Sequence, residues 1–208
     1  MDIMRWTGCL KLFKLNPTIK YKESYMKRIV LVCIFSLVAI GASFAQPTTG
    51  FAQQPAVVTA AGQSADFEMI KVLLTRSKIE YTADTLMKPE SLGAASKTLI
   101  LVSGASTKGL GAAGISSEAE GARISSLIKR AKSLGMKIIT VHVGGGARRG
   151  VISDALIEIC MAGSDYAIVV ADGDTDGFFT KLANASNIGL TKVDRISAVG
   201  KPLAASFK

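Results

Sequence analysis

Thr98-Leu-Ile-Leu-Val-Ser103 carries four consecutive apolar, branched residues between two small polar ones, and Gly104 follows it directly. A strand with one wet face alternates apolar and polar side chains. This run does not alternate, so both of its faces are buried, as in a parallel sheet covered by helices on each side. Ala56-Val-Val-Thr-Ala60, Lys137-Ile-Ile-Thr-Val-His-Val143 and Tyr166-Ala-Ile-Val-Val170 have the same character. Glu80-Tyr-Thr82 reads as a weaker strand and Leu190-Thr-Lys-Val193 as a short edge strand.

The segments between these runs change period. Residues 66–79 place Phe67, Ile70, Leu73 and Leu74 at helical spacing, with Asp66 as N-cap. Residues 116–134 do the same with Ile124, Leu127, Ile128 and Ala131, capped by Ser116 or Ser117. Residues 151–161 and 176–185 read as two further helices, and 202–207 as a last helical turn. Strand and helix thus alternate. The expected fold is α/β: a doubly wound, mainly parallel sheet of about five to six strands in a three-layer sandwich. Rossmann-like and flavodoxin-like strand orders both fit this pattern.

Upstream of the first strand lies a different kind of sequence. Met26 begins a segment with Lys27 and Arg28, then an apolar run from Ile29 to Ile40, then Ser43 and Ala45 before Gln46. That is the order of a secretory signal peptide: positive end, short apolar core, small residues at the cleavage site. The run is too short to cross a bilayer comfortably, which takes about 20 residues. The expected organisation is a leader over 1–45, with translation starting at Met26 and cleavage after Ala45. A flexible linker follows over 46–55, then a single α/β domain over 56–208. The location is outside the cytoplasm, in the periplasm, cell envelope or medium, with no membrane span after cleavage.

The leader also explains the bulk charge. The chain carries 25 Lys/Arg against 16 Asp/Glu, a net charge of +9. Residues 1–45 contain seven of the basic and two of the acidic residues, leaving 18 against 14, or +4, downstream. That balance is ordinary, and no basic run interleaved with aromatics occurs, so nucleic acid is not an expected partner. Of three cysteines, Cys9 and Cys33 lie in the leader. Cys160 sits alone in an apolar helical stretch, so no internal disulfide forms and Cys160 reads as a core residue.

Polar and Gly-rich residues concentrate after the strands. In an open parallel sheet those loops emerge on one edge, where ligands bind. Gly62-Gln-Ser-Ala-Asp66 lies between a strand and a helix. It resembles a nucleophile elbow except that Asp66 stands where that motif has Gly. Gly109-Leu-Gly-Ala-Ala-Gly114 has the spacing G-x-G-x-x-G. Five residues separate it from the preceding strand, and no carboxylate ends the next one. Leu110 stands where a P-loop needs Lys. A dinucleotide cofactor is therefore not expected, and no other cofactor is. Backbone N–H groups of such a loop can still hold an anion. Arg148 and Arg149 precede the 151–161 helix, Lys108 lies in the neighbouring loop, and His142, the only histidine, ends a strand. Arginine presents a planar fork that matches carboxylate or phosphate. Asp172-Gly-Asp-Thr-Asp-Gly177 matches the first half of a calcium loop, and Ala183 stands at the twelfth position where Glu is required.

Three segments together, Gly62-Gln-Ser-Ala-Asp66, Gly104-Ala-Ser-Thr-Lys-Gly-Leu-Gly-Ala-Ala-Gly114 and His142-Val-Gly-Gly-Gly-Ala-Arg-Arg-Gly150, resemble an uncharacterised family of exported bacterial proteins. Members carry a single Rossmann-like domain of unknown function. The resemblance runs from about Ala56 to Phe207. It implies export and a bacterial source, groups these loops into one site, and transfers no catalytic residue.

The expected function is binding of a small anionic ligand, of carboxylate or phosphate type, in the crevice at the strand C-termini. The expected contacts are Gln63, Ser64, Ser106, Lys108, Gly109, Gly111, His142, Gly144, Gly145, Arg148 and Arg149. Two alternatives stand beside it. One is a hydrolase or transferase with Ser64 and His142 as the candidate catalytic residues. The other is a cell-envelope interaction module with no small ligand. Asp172, Asp174 and Asp176 are candidate metal ligands.

Overall fold

The computed structural model describes residues 49–208. The expected leader over 1–45, including Met26, Cys9, Cys33 and Ala45, falls outside that range, as do the first linker residues from Gln46.

Six strands form one sheet, all parallel: β1 Ala56–Ala61, β2 Tyr81–Ala83, β3 Thr98–Ser103, β4 Lys137–His142, β5 Tyr166–Val170 and β6 Gly189–Val193. Their spatial order is β2-β1-β3-β4-β5-β6. That is the flavodoxin-like order continued by one strand, and it settles the choice left open above. β1 and β3 pair along their full length, from Ala56 opposite Thr98 to Ala61 opposite Ser103.

Alternation within each central strand feeds two cores. Val58 and Ala60, Ile100 and Val102, and Ile139 and Val141 face one side. They meet Phe67, Ile70 and Leu74 of α1 (Asp66–Arg76) and Leu203 of α6 (Gly200–Ser206). Val57, Leu99, Leu101 and Ile138 face the other side, against α3 (Ser117–Ser133) and α4 (Val151–Gly163). Ala167 and Val169 continue that layer beneath α5 (Phe178–Ser186). Cys160 of α4 is fully buried in this second core, and burial pushes its thiol up to about 12, consistent with an inert packing residue.

Several boundaries shift by one or two residues, and three differences from the sequence expectation are larger. The stretch 104–114 is not all loop: Thr107–Ala112 forms a short helix, α2, whose first turn Ser106 caps by accepting from the Gly109 N–H at 3.1 Å. α1 ends at Arg76 rather than 79, because Lys78 adopts a left-handed conformation. The linker assigned to 46–55 is docked in its described part. Gly50 and Ala52 donate to the carbonyls of Ala205 and Ser206, and Gln53 exchanges hydrogen bonds with the Thr98 side chain. Its peptide groups complete the edge beside α6 instead of turning to water. Among the described residues, no helix is long and apolar enough to cross a membrane.

Candidate functional site

β1 and β3 are neighbours, yet α1 leaves β1 toward one face while α3 follows β3 on the other. Their outgoing loops diverge there and open the crevice expected at a switch in strand order. The first loop is held from below. Glu120 of α3 is fully buried and its Oε1 accepts from the Gly62 N–H at 2.9 Å and from Gln63 Nε2 at 3.0 Å. Arg123, one helical turn on, donates to Glu120 Oε2 at 2.7 Å and to the carbonyls of Ala60 and Met87. Burial works to raise the Glu120 carboxyl; the hydrogen bonds and charge of Arg123 and the Gly62 and Gln63 donors outweigh it and hold the group below its ordinary value. Gln63 is thus spent on scaffolding. So is Gly109, where a Cβ would fall 1.9 Å from the Gln63 carbonyl oxygen. Neither lines the cleft described below. A Cβ at Gly111 would meet open space, and the residue lies outside the same cleft.

His142 is also structural. It is fully buried, with Nδ1 2.9 Å from the Ser103 carbonyl and Nε2 3.1 Å from the Gly145 carbonyl. The ring packs on Phe179 at a centroid distance of 4.8 Å. Burial lowers its basicity, opposed by the two carbonyls. Each ring nitrogen lies against a main-chain carbonyl, one of which accepts from the single N–H of the neutral ring, and Ser64 Oγ has no hydrogen-bond partner among the described residues. The Ser64–His142 pair of the enzyme alternative is therefore not formed.

The two arginines separate. Arg149 donates to Asp154 through Nε at 2.7 Å and Nη2 at 3.1 Å, to Asp176 through Nη1 and Nη2 at 3.1 Å each, and to the Gly173 carbonyl at 2.6 Å. Its guanidinium also stacks 4.1 Å above the Phe178 ring. These bonds raise its already high basicity, hold Asp154 low, and hold Asp176 down at about 2. Arg149 has no donor direction left for an anion. Among the described residues Arg148 makes one ion pair, a loose one with Asp66, Nε to Oδ2 at 3.8 Å.

The aspartates read as metal ligands diverge as well. Asp172 accepts from the Gly146 N–H, Asp174 caps α5 through the Thr180 N–H and pairs with Lys192, and Asp176 holds Arg149. Three carboxylates turned to three partners do not converge on one ion, and no metal-binding group occurs among the described residues.

A cleft of about 510 Å³ remains, walled by Ser106, Lys108, Arg148 and the start of α4 from Gly150 to Ser153. Lys108 forms no ion pair among the described residues. The first hydrogen bond of α4 runs from the Asp154 N–H to the Gly150 carbonyl, and no side chain caps the turn before it. The N–H groups of Val151, Ile152 and Ser153 therefore lie ahead of the helical ladder, at its positive end. Gly144 lets Arg148 lie flat over it: a Cβ there would fall 1.9 Å from Arg148 Cγ and 2.7 Å from Asp66 Oδ2. Gly145 packs on Asp172, whose Oδ2 would lie 2.8 Å from a Cβ there. Beneath Arg148, the buried Asp66 is the first residue of α1 rather than its cap, and its Oδ2, like Ser64 Oγ, has no hydrogen-bond partner among the described residues.

Of the expected contacts, the structure brings Ser106, Lys108 and Arg148 together on one cleft, with Arg149 as a committed wall. Glu120, Arg123, Asp66 and Asp154 were missed as site residues. One signal was present: Glu120 falls four residues before Ile124, on the apolar stripe of its helix, where a charge needs a partner.

No curated protein matches the chain in sequence. Among solved structures, an O-acetylhomoserine sulfhydrylase of Wolinella succinogenes is similar over 47% of this chain and 27% of its own, at 14% identity and a TM-score of 0.30. A GDSL-like lipase from Bacteroides thetaiotaomicron is similar over 74% of this chain and 75% of its own, at 12% identity and a TM-score of 0.33. The chain thus spans about a quarter of the first and three quarters of the second, and neither likeness is close enough to carry chemistry. A family model is decisive where these are not: it matches residues 53–207, from the docked N-terminal stretch through α6, and the chain belongs to the family defined by the domain of unknown function DUF6305.

Proposed function

We propose that the protein binds a small anionic ligand of carboxylate or phosphate type in the cleft between Lys108, Arg148 and the first turn of α4. The observation that carries this reading is the contrast between the two arginines. Arg149 is saturated by Asp154, Asp176 and a carbonyl, whereas Arg148 lies on the cleft wall with one partner at 3.8 Å. A guanidinium that loosely held can turn its fork to an anion without losing a strong bond. Lys108 adds a second charge across the cleft, and the uncapped N–H groups of α4 add donors.

A thermal-shift screen of the purified protein against carboxylates, phosphates, nucleotides and sugars tests the reading. A ligand at 100 times its dissociation constant adds about 2.7 kcal/mol, which raises the midpoint on the order of 5–10 °C for a domain of this size. The expected result is a shift confined to one anion class and lost in Arg148→Ala, each shift being measured from the variant's own ligand-free midpoint, because Asp66 loses its counter-charge in that variant. Arg149→Ala is expected instead to melt lower, because it strips Asp154 and the Gly173 carbonyl of their donors. A panel without any shift, or a shift that survives both Arg148→Ala and Lys108→Ala, contradicts the proposal.

A further inference from the structure

A second cavity of about 490 Å³ runs between α3 and α4, floored by Gly121, Ala155, Leu156 and Ile159. Its lining is mostly apolar, and the small residues Gly121, Ala122 and Ala155 set its width. Val151 and Ile152 line both this groove and the cationic cleft. Val151 is 90% exposed and Ile152 36%, at the point where the two spaces meet. A valine left that open forgoes most of the stabilisation its burial would give, unless something covers it. Glu118 borders the groove, so a negative group is disfavoured there and favoured on the Lys108 and Arg148 side.

We infer that the ligand is an amphiphilic anion, a monoacyl carboxylate or alkyl phosphate. Its head lies on Lys108 and Arg148, and its aliphatic chain crosses Val151 and Ile152 into the groove between α3 and α4. This rests on the anion reading above and deepens it. From Val151 to Ile159 the groove follows α4 for about 12 Å at the helical rise, the reach of a medium-length alkyl chain. The groove offers apolar walls and width for one chain, and the adjoining cleft supplies the opposite charge to the head.

The test is calorimetric titration of the full protein with acetate, butyrate, hexanoate, octanoate and decanoate below their micellar concentrations, with octylammonium as the cationic control. Affinity should rise about fourfold per added methylene, the gain expected for burying one CH₂, and level off once the groove is filled. Octylammonium should not bind. Ala122→Leu fills the groove from an exposed position and so does not threaten the fold; it should flatten the series while leaving the short anions unchanged. A flat series that still depends on Arg148 overturns the aliphatic assignment and leaves the anion site standing. No binding at any length overturns both. Sedimentation with anionic phospholipid vesicles, without binding of free carboxylates, places the chain in a bilayer and overturns the free-ligand assignment.

Discussion

Arg149 gives every donor direction to Asp154, Asp176 and the Gly173 carbonyl, while Arg148, adjacent in sequence, makes one ion pair among the described residues, at 3.8 Å. Sequence alone cannot separate them. Their residue type and spacing are the same, and the difference comes from which side of the Gly150 turn faces the acidic loop. The same holds for His142. A histidine at the C-terminal end of a strand invites a functional reading, yet here both nitrogens lie against main-chain carbonyls, and the neutral ring donates to one of them. Its basicity is depressed by burial below the ordinary value of 6.5. Above about pH 6.5 the imidazole is neutral in both folded and unfolded chains. Below it, the unfolded chain binds a proton that the folded site resists, so stability falls as the pH drops through that value. The single imidazole resonance in a proton NMR titration should therefore show a midpoint below 6.5. A midpoint at or above 6.5 would mean that the ring carries charge in the fold and that its burial is misassigned.

At the scale of elements, α3 does two jobs. Its apolar face fills the core, and its first turns reach under the crevice, where Glu120 holds the Gly62–Gln63 loop and Arg123 holds Glu120. Removing one partner of a buried pair leaves the other charge uncompensated and costs about 3–5 kcal/mol. Glu120→Ala should lose that much in denaturant unfolding, and the double variant Glu120→Ala/Arg123→Met should recover part of it. A loss below about 1 kcal/mol, the range of exposed pairs, would show that the loop does not hang on α3. The main strands and α3 were legible because their burial is written as unbroken apolar runs and helical stripes. α2 was not. Six residues containing Gly109 and Gly111 have little helix propensity, and the helix forms because Ser106 caps it and Gly109 fits against the Gln63 carbonyl. Both causes are tertiary.

Over the whole molecule, the sequence defines an α/β sandwich with its loops on one edge but leaves the strand order open. Buried parallel strands of similar length carry no mark of their neighbours; the order follows from which face each crossover takes. The edge itself was legible, since polar and glycine residues gather after strands and not before them. The position of the cleft along that edge was not. Sequence spreads the expected contacts over the loops after β1, β3 and β4, from Gln63 to Arg149, whereas the open space lies over α4, between Lys108 and Arg148. Much of the glycine that suggests a phosphate loop instead packs main chain closely, at Gly62, Gly109 and Gly144.

The most direct measurement is a backbone amide NMR titration with the anion class that the thermal screen selects. The account predicts saturable shifts concentrated at Lys108, Arg148 and Val151 to Ser153, absent in Arg148→Ala. Shifts centred on Asp172 to Asp176 or on the β6 edge, or no saturable shift at α4, would contradict it.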